Sequence, residues 1–177
     1  MNALASIVKE RAHAARLVVF DVDGVLTDGR IYLNPEGVEM KVFHARDGLG
    51  IRLLRDAGIE VAVISGRKSP VVAQRMSALG VAHVFQGQDD KLPLFEKLLH
   101  TLGVAAHDTV YVGDDVIDLP VMAAAGLAVA VADAHPAVRR AADLLTTAPG
   151  GHGAAREVCD LVLAAQDKLP AHMRPEA

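Results

Sequence analysis

Short apolar segments alternate with amphipathic segments along most of the chain. The apolar segments are rich in β-branched residues and occupy residues 17–20, 59–64, 81–85, 109–112, 127–131 and, more weakly, 143–146. Helical patterns separate them at residues 48–57, 70–79, 93–102, 119–125, 136–142 and 154–166. Strands that are apolar throughout and alternate with helices are typical of a parallel sheet covered on both faces. The pattern therefore predicts an α/β fold with a central parallel sheet between two layers of helices.

Residues 30–43 break this alternation. Two apolar arms, residues 31–33 and 38–43, flank the turn sequence Asn34-Pro35-Glu36-Gly37, and together they predict a β-hairpin. The hairpin follows directly after the loop of the first predicted strand. Because parallel sheets bind ligands in the loops at the carboxyl ends of their strands, we expect the hairpin to lie beside an active site or to form an interface.

The composition narrows the classes of function. Residues 1–177, of which 51% are hydrophobic, are predicted to form a single domain. A net charge of −4, with four Phe, two Tyr and no Trp, argues against nucleic-acid binding. Cys159 is the single cysteine, which excludes an internal disulfide and indicates a reducing compartment. No signal-peptide pattern or membrane-length apolar run occurs, so we expect a cytoplasmic protein with no membrane partner. The last residues, at about 168–177, are predicted to form a mobile tail.

Two acidic clusters follow predicted strands. Asp21 and Asp23 come directly after the first apolar segment, and Asp114, Asp115 and Asp118 follow the segment at 109–112. Carboxylates at the end of a buried strand are costly unless they are paired or bind a metal. A turn with solvated aspartates is the alternative for the first cluster, and a helix cap for the second. A site made only of oxygen ligands would select a hard cation such as Mg²⁺.

Two further polar positions are suited to binding phosphate. Ser65 and Gly66 follow the second predicted strand of the sheet, where a small hydroxyl and backbone N–H groups can hold phosphate oxygens. Lys91 precedes a helix that Pro93 opens. Alone, the first is an ordinary turn and the second a surface charge. The sequence motifs of P-loop nucleotide binding, dinucleotide binding, serine hydrolases and zinc proteases do not occur.

Taken in order, these residues resemble the four motifs of the haloacid dehalogenase-like phosphohydrolases. Residues 17–168 further resemble the capless branch of that superfamily that dephosphorylates 3-deoxy-D-manno-octulosonate 8-phosphate. The stretches that carry this resemblance are DVDGVLTDG (21–29), RDGLGIR (46–52), SGRK (65–68), QGQDDK (86–91), YVGDDVIDLPVM (111–122), VAVADAHP (129–136) and GGHGAAREVCDLVL (150–163). One departure is His152, where the family has Arg. The resemblance implies a Rossmann-like, haloacid dehalogenase-like three-layer sandwich in which the hairpin stands in place of a cap domain.

The resemblance also implies a catalytic mechanism. Asp21 would be the nucleophile that forms an aspartyl-phosphate, and Asp23 the general acid and then the general base. Ser65 and Lys91 would stabilise charge on the transferring phosphoryl oxygens.

The implied metal is Mg²⁺. Asp21, the backbone carbonyl of Asp23 and Asp114 would hold it. Asp115 and Asp118 would support these ligands through water or hydrogen bonds.

The implied substrate is an acidic sugar phosphate of lipopolysaccharide precursor biosynthesis, whose carboxylate calls for arginine. The residues that would surround it are Asp23, His44, Ala45, Arg46, Asp47, Gly48, Arg52, Gly66, Arg67, Arg75 and Lys91. The resemblance further implies a homotetramer whose hairpins form a central β-barrel. Its neighbouring subunits would bring a loop containing Arg46 over the Asp21 site.

Three alternatives differ in substrate or class. A phosphatase of a nine-carbon sugar acid would use the same motifs. A phospho-accepting receiver module would need its acceptor aspartate after the third strand, where this chain has Phe85-Gln86-Gly87. An inactive regulatory domain is disfavoured because all four motifs are intact.

Overall fold

The structure is a computed structural model that describes residues 3–173. Its helices are α1 Ala3–Ala14, α2 Ala45–Asp56, α3 Pro70–Ala78, α4 Leu92–Leu102, α5 Leu119–Ala124, α6 Pro136–Ala141 and α7 Ala154–Ala165. Its strands are β1 Leu17–Phe20, β2 Tyr32–Leu33, β3 Glu39–Met40, β4 Glu60–Ser65, β5 His83–Gln86, β6 Thr109–Gly113, β7 Leu127–Ala130 and β8 Leu144–Leu145. Each strand and helix predicted from the sequence is present with bounds shifted by a few residues, whereas α1 was not predicted.

A parallel six-stranded sheet in the described residues runs in the order β5-β4-β1-β6-β7-β8. The central strand β1 is buried along its whole length, as are β6 and β7. Its last residue, Phe20, lies opposite Val63 of β4 and Val112 of β6. The carboxyl ends of these three strands therefore meet at one edge, where the motif loops begin.

Helices cover both faces of the sheet, which confirms the predicted three-layer fold. Right-handed crossovers toward β5 place α2 and α3 on one face, and those toward β8 place α4, α5 and α6 on the other. The packing agrees, because α2 packs on α7, α7 on α1, and α5 on both α4 and α6.

The predicted hairpin is also present, with Tyr32 of β2 paired antiparallel to Met40 of β3. Gly37 closes its turn with a φ of +77°, and its N–H donates to the Asn34 carbonyl at 2.9 Å. Five apolar side chains of the hairpin are between 56% and 63% exposed; they are Ile31, Leu33, Val38, Met40 and Val42. One face of the hairpin is thus an uncovered apolar surface.

The predicted C-terminal tail is described only in part. Leu169 packs against the core, and Ala171–Met173 forms a 3-10 turn. Arg156 Nη2 lies 3.5 Å from Met173 Sδ. Residues 174–177 lie outside the described residues, so the mobility of the tail stays a prediction. In the described part of the chain, no helix combines the length and the apolar character needed to cross a bilayer.

Candidate active site

The nucleophile candidate lies in a tight turn after the central strand. Asp21 follows Phe20, and its backbone N–H donates to the Val112 carbonyl at 3.0 Å. The chain then turns at Gly24, which has a φ of +97°. A Cβ at Gly24 would lie 2.0 Å from Asp114 Oδ2, so glycine is needed for the two acidic loops to approach this closely.

The glycine-rich stretch at 150–153 packs against this turn. A Cβ at Gly150 would lie 1.6 Å from the carbonyl oxygen of Gly24, and the Gly151 N–H donates to the Val25 carbonyl at 2.9 Å. The stretch therefore supports the catalytic loop through backbone contacts. His152, the departure from the family sequence, is exposed.

Asp118 is the hydrogen-bonding centre of the site and is fully buried. Its Oδ1 accepts hydrogen bonds from Lys91 Nζ and the Tyr111 hydroxyl, both at 2.7 Å. Its Oδ2 accepts from the backbone N–H groups of Asp114 at 3.0 Å and Asp115 at 3.2 Å. One carboxylate thereby fixes the lysine and the second acidic loop relative to each other.

Lys91 bridges that centre to the nucleophile candidate. Its Nζ lies 2.8 Å from Asp21 Oδ1, and its side chain is 0% exposed. Burial alone would lower the pKa of Lys91, but the charges of Asp21 and Asp118 outweigh burial and raise this pKa above its ordinary 10.5. The buried amine is therefore a cation at neutral pH.

The carboxylates of this site repel one another when they are ionised together. Burial, then the charge of Asp118, raises the pKa of Asp21 from 3.8 to about 6, although Lys91 acts in the opposite direction. Burial, followed by the charges of Asp21 and Asp118, raises the pKa of Asp114 to about 8. A cation bound between these groups would remove this conflict.

The donor set fits Mg²⁺. Carboxylate oxygens of Asp21, Asp114 and Asp118 lie within 4.8 Å of one another. Among the described residues, Asp114 Oδ1 is buried and has no hydrogen-bond partner, which is the arrangement expected of a ligand. The oxygens of Asp118 already accept four hydrogen bonds, so Asp118 is suited to a supporting role. Asp115 Oδ1 accepts from the Val116 N–H at 2.7 Å and caps a short 3-10 turn.

The other member of the first acidic pair, Asp23, faces the hairpin. Its Oδ1 accepts a hydrogen bond from Lys41 Nζ, and its Oδ2 lies 3.9 Å from Arg67 Nε. Glu39 Oε1 lies 2.5 Å from Arg67 Nη2 and 3.5 Å from Lys41 Nζ. Four charged groups thus alternate in sign around a closed ring at the mouth of the site. We call Asp23, Lys41, Glu39 and Arg67 the charged ring.

An open cleft of about 290 Å³ connects these groups. Its lining residues come from the four motif loops and are Asp21, Asp23, Gly29, Ser65, Gly66, Arg67, Asp89, Asp114, Asp115 and Ile117. Ser65 is buried at the end of β4, next to the cleft floor, and Arg67 is half exposed at the rim. The cleft can therefore admit a phosphate between Asp21 and Ser65, with the rest of the ligand near Arg67.

Several residues predicted to contact substrate do not line this cleft, and their contacts with substrate stay predictions. In the described part of the chain, His44, Asp47, Gly48 and Arg75 line a separate crevice, and a side chain at Gly48 would overlap Arg75. The Arg75 guanidinium lies 6.0 Å from the centre of the Phe43 ring.

Asp47 also caps the start of α7. Its Oδ1 accepts from the Arg156 N–H at 2.8 Å and caps α7, whose N-cap residue is a glycine. Ala45, Arg46 and Arg52 are exposed on α2. Their proposed contacts with substrate stay predictions.

Four residues of the site were not predicted. Tyr111 belongs to an apolar strand, and its hydroxyl donates a hydrogen bond to Asp118. Glu39 and Lys41 belong to the hairpin, and Asp89 lines the cleft beside Gly66. The alternation of charged with apolar residues at 38–42 was the available signal for the hairpin pair.

The chain is similar to known proteins over most of its length. A model of the haloacid dehalogenase-like hydrolase family matches residues 76–158. The 3-deoxy-D-manno-octulosonate 8-phosphate phosphatase KdsC of Yersinia pestis is 51% identical over 166 residues, which are 94% of this chain and 89% of that protein. The chain belongs to this phosphatase family. Its members are phosphoric monoester hydrolases, so this chain is an enzyme of that class.

Solved structures of the family share the fold described above. The 1.95 Å crystal structure of the Yersinia pestis phosphatase matches with a TM-score of 0.91 and 51% identity, over 92% of this chain and 88% of that one. The phosphatase from Moraxella catarrhalis, solved in complex with a magnesium ion, a phosphate ion and a KDO molecule, matches with a TM-score of 0.89 and 42% identity. That match covers 90% of this chain and 92% of the other. A member of the family therefore binds the metal that the acidic cluster here fits.

Proposed function

We propose that this chain is a Mg²⁺-dependent phosphatase that hydrolyses 3-deoxy-D-manno-octulosonate 8-phosphate through an aspartyl-phosphate at Asp21. The observation that carries the proposal is the contact of Asp21 with the buried Lys91, beside an Asp114 oxygen that has no hydrogen-bond partner among the described residues. The relatives that bear this activity in their names are about half identical to the chain over nearly its whole length.

The first step forms the covalent intermediate. A carboxylate oxygen of Asp21 attacks phosphorus, and the bond from phosphorus to the sugar oxygen breaks. Asp23 gives its proton to that sugar oxygen, which leaves as an alcohol. Lys91 and the Ser65 hydroxyl hold the phosphoryl oxygens, and positioning with electrostatic stabilisation dominates in this type of transfer.

The second step restores the enzyme. Asp23, now ionised, takes a proton from water, and the resulting hydroxide oxygen attacks phosphorus. The bond between phosphorus and the Asp21 oxygen breaks, which releases inorganic phosphate and returns the Asp21 carboxylate. Each step thus moves one proton through Asp23 in opposite directions.

Asp21, the Asp23 backbone carbonyl and Asp114 would hold Mg²⁺, with Asp115 and Asp118 supporting them. The ion supplies positive charge that allows an anionic carboxylate to approach an anionic phosphate. Removing the ion should therefore abolish turnover.

A substrate panel tests this function. Phosphate release should be measured with the eight-carbon acid phosphate, a nine-carbon sugar acid phosphate and a neutral hexose phosphate, each with Mg²⁺ and with a chelator. The highest kcat/KM should belong to the eight-carbon substrate, and only with Mg²⁺. Preference for the nine-carbon substrate would favour the alternative phosphatase, and no release from any of them would refute the proposal.

We also propose that the enzyme works as a homotetramer built through its hairpins. The support is the exposed apolar face, which includes Leu33 at 61% and Val42 at 63%, because an isolated two-stranded hairpin is marginal in water. Copies of the hairpin paired around a common axis would cover this face. The exposed Arg46 of one subunit would then lie over the Asp21 cleft of its neighbour.

For its compartment, we propose the cytoplasm. The support is the chain's one cysteine, Cys159, which is buried and cannot form an internal disulfide. Fractionation of producing cells should recover the protein with cytoplasmic markers, and recovery in a secreted or membrane fraction would contradict this.

A further inference from the structure

The hairpin has two faces of opposite character, and the inward one is charged. Val38, Met40 and Val42 are exposed, whereas Glu39 and Lys41 alternate with them and contact Arg67 and Asp23, which line the cleft. The side chain of Lys41 is 2% exposed and that of Glu39 is 15% exposed. A strand that turns its charges inward is unusual, because burying charge is costly unless each charge has a partner.

The partner of Lys41 is the acid–base candidate. Lys41 Nζ donates to Asp23 Oδ1, while Asp23 Oδ2 is buried and has no hydrogen-bond partner in the described part of the chain. Arg67 Nε is 3.9 Å from that second oxygen, which is too far for a hydrogen bond. Lys41 therefore anchors one oxygen of Asp23, a residue that lines the cleft, and leaves the other oxygen without such an anchor.

We propose that Lys41 is a positioning residue for acid–base catalysis, which rests on the function proposed above. By anchoring Oδ1, Lys41 presents Oδ2 of Asp23 to the leaving sugar oxygen and later to the attacking water. Glu39 forms ion pairs with both Lys41 and Arg67 and so connects the two cations. The hairpin thus serves chemistry within its own subunit, apart from any role of its outer face.

The test separates the two steps by the leaving group. A sugar alkoxide needs a proton to leave, whereas p-nitrophenolate leaves without one. In Lys41→Met, kcat for the sugar phosphate should fall by about 10²-fold, the lower range of acid–base contributions, with KM changed less than about threefold. With p-nitrophenyl phosphate, the first step should stay fast while hydrolysis of the aspartyl-phosphate becomes slow. Rapid mixing should then show a burst of about one p-nitrophenolate per active site.

Three variants make the result specific. Lys97→Met, at an exposed position on α4, is the matched control and should behave as wild type. Lys41→Arg keeps a donor and a charge and should recover part of kcat. If Lys41→Met does not fold by circular dichroism, Lys41→Gln carries the same expectations.

The contrary results are distinct. Equal losses with both leaving groups and no burst would overturn positioning of Asp23, as would an effect confined to KM, which would make Lys41 a substrate ligand. Failure of the proposed function would instead appear in the wild-type enzyme, as absence of sugar phosphate turnover.

Discussion

The hydrogen bond from Tyr111 to Asp118 offers a sharp test of how the site is held together. Both side chains are fully buried, and their oxygens lie 2.7 Å apart. Tyr111→Phe removes only the hydroxyl and keeps the ring, which packs edge-on against Phe95 with centroids 6.4 Å apart. The substitution therefore isolates one buried hydrogen bond to a charged acceptor.

The expected loss of stability depends on the hydrogen bonds that Asp118 keeps in the variant. A hydrogen bond to a charged group contributes about 1.5–3 kcal/mol. Asp118 Oδ1 keeps its bond from Lys91 in the variant, so the acceptor is not left unpaired and the lower end applies. We expect the free energy of unfolding to fall by about 1.5 kcal/mol, which for a chain of this size lowers Tm by roughly 3–6 °C.

Urea unfolding followed by circular dichroism measures this difference, with Tyr32→Phe as the matched control. The Tyr32 hydroxyl also donates to an aspartate, Asp28 Oδ2 at 3.1 Å, but at a partly exposed position. Its loss should cost less than about 0.5 kcal/mol. Equal costs for the two variants would refute the assignment of Tyr111 to a buried charged hydrogen bond.

The pH dependence provides a second check on the same pair. Burial, and then the charge of Asp118, raises the pKa of Tyr111 well above its ordinary 10.0. An acid whose folded pKa is raised contributes stability below its unfolded pKa and loses it as pH rises toward the folded one. The cost of Tyr111→Phe should therefore be constant from about pH 6 to 9 and shrink only above ~10.

Three further predictions concern the metal, the interface and specificity. In a chelator, the free energy of unfolding should fall as pH rises from 3.8 through about 8, because burial raises the pKa of Asp21 to about 6 and that of Asp114 to about 8. A rise with pH would contradict this, and Mg²⁺ should oppose the fall. Leu33→Asp combined with Val42→Asp should give a folded monomer with severely reduced turnover by light scattering and activity assay, whereas a fully active monomer would refute a shared active site. Arg67→Ala should weaken binding of the eight-carbon substrate by about 2–5 kcal/mol, measured as a rise in KM. The KM of a sugar phosphate without a carboxylate should rise less, and equal losses would refute carboxylate recognition.

The apolar periodicity was sufficient to predict the sheet. Segments such as 17–20 and 109–112 are apolar throughout because both faces of those strands are covered by helices. The order of the strands could not be predicted this way, because every interior strand presents the same pattern. Helix α1 was missed because charged residues such as Lys9 and Arg11 obscure its periodicity, and its place is set by packing on α7.

The acidic motifs predicted the position of the site but not its internal connections. Asp21 and Asp114 are in adjacent strand-end loops, as the order of motifs implied. Asp118 appeared in the sequence as one more carboxylate, whereas the structure makes it the acceptor for Lys91 and Tyr111. Such connections depend on where a side chain ends in three dimensions, which spacing along a strand does not specify.

The hairpin shows the same limit. The two apolar arms predicted the hairpin, and the structure confirms it and leaves its outer side chains, such as Met40 at 58%, exposed. The contacts of the opposite face were not predicted, because the contact of Lys41 with Asp23 joins positions that are 18 residues apart.

The central claim is that Asp21 is the nucleophile of a Mg²⁺-dependent phosphatase. The most direct measurement is phosphate release from the eight-carbon sugar acid phosphate by wild type, Asp21→Asn and Asp56→Asn, the last an exposed matched control at the end of α2. Asp21→Asn preserves shape but removes the attacking carboxylate and a metal ligand, so release should fall by at least ~10³-fold while the control stays at the wild-type rate. An Asp21→Asn enzyme that retains a tenth of the wild-type rate would contradict the account.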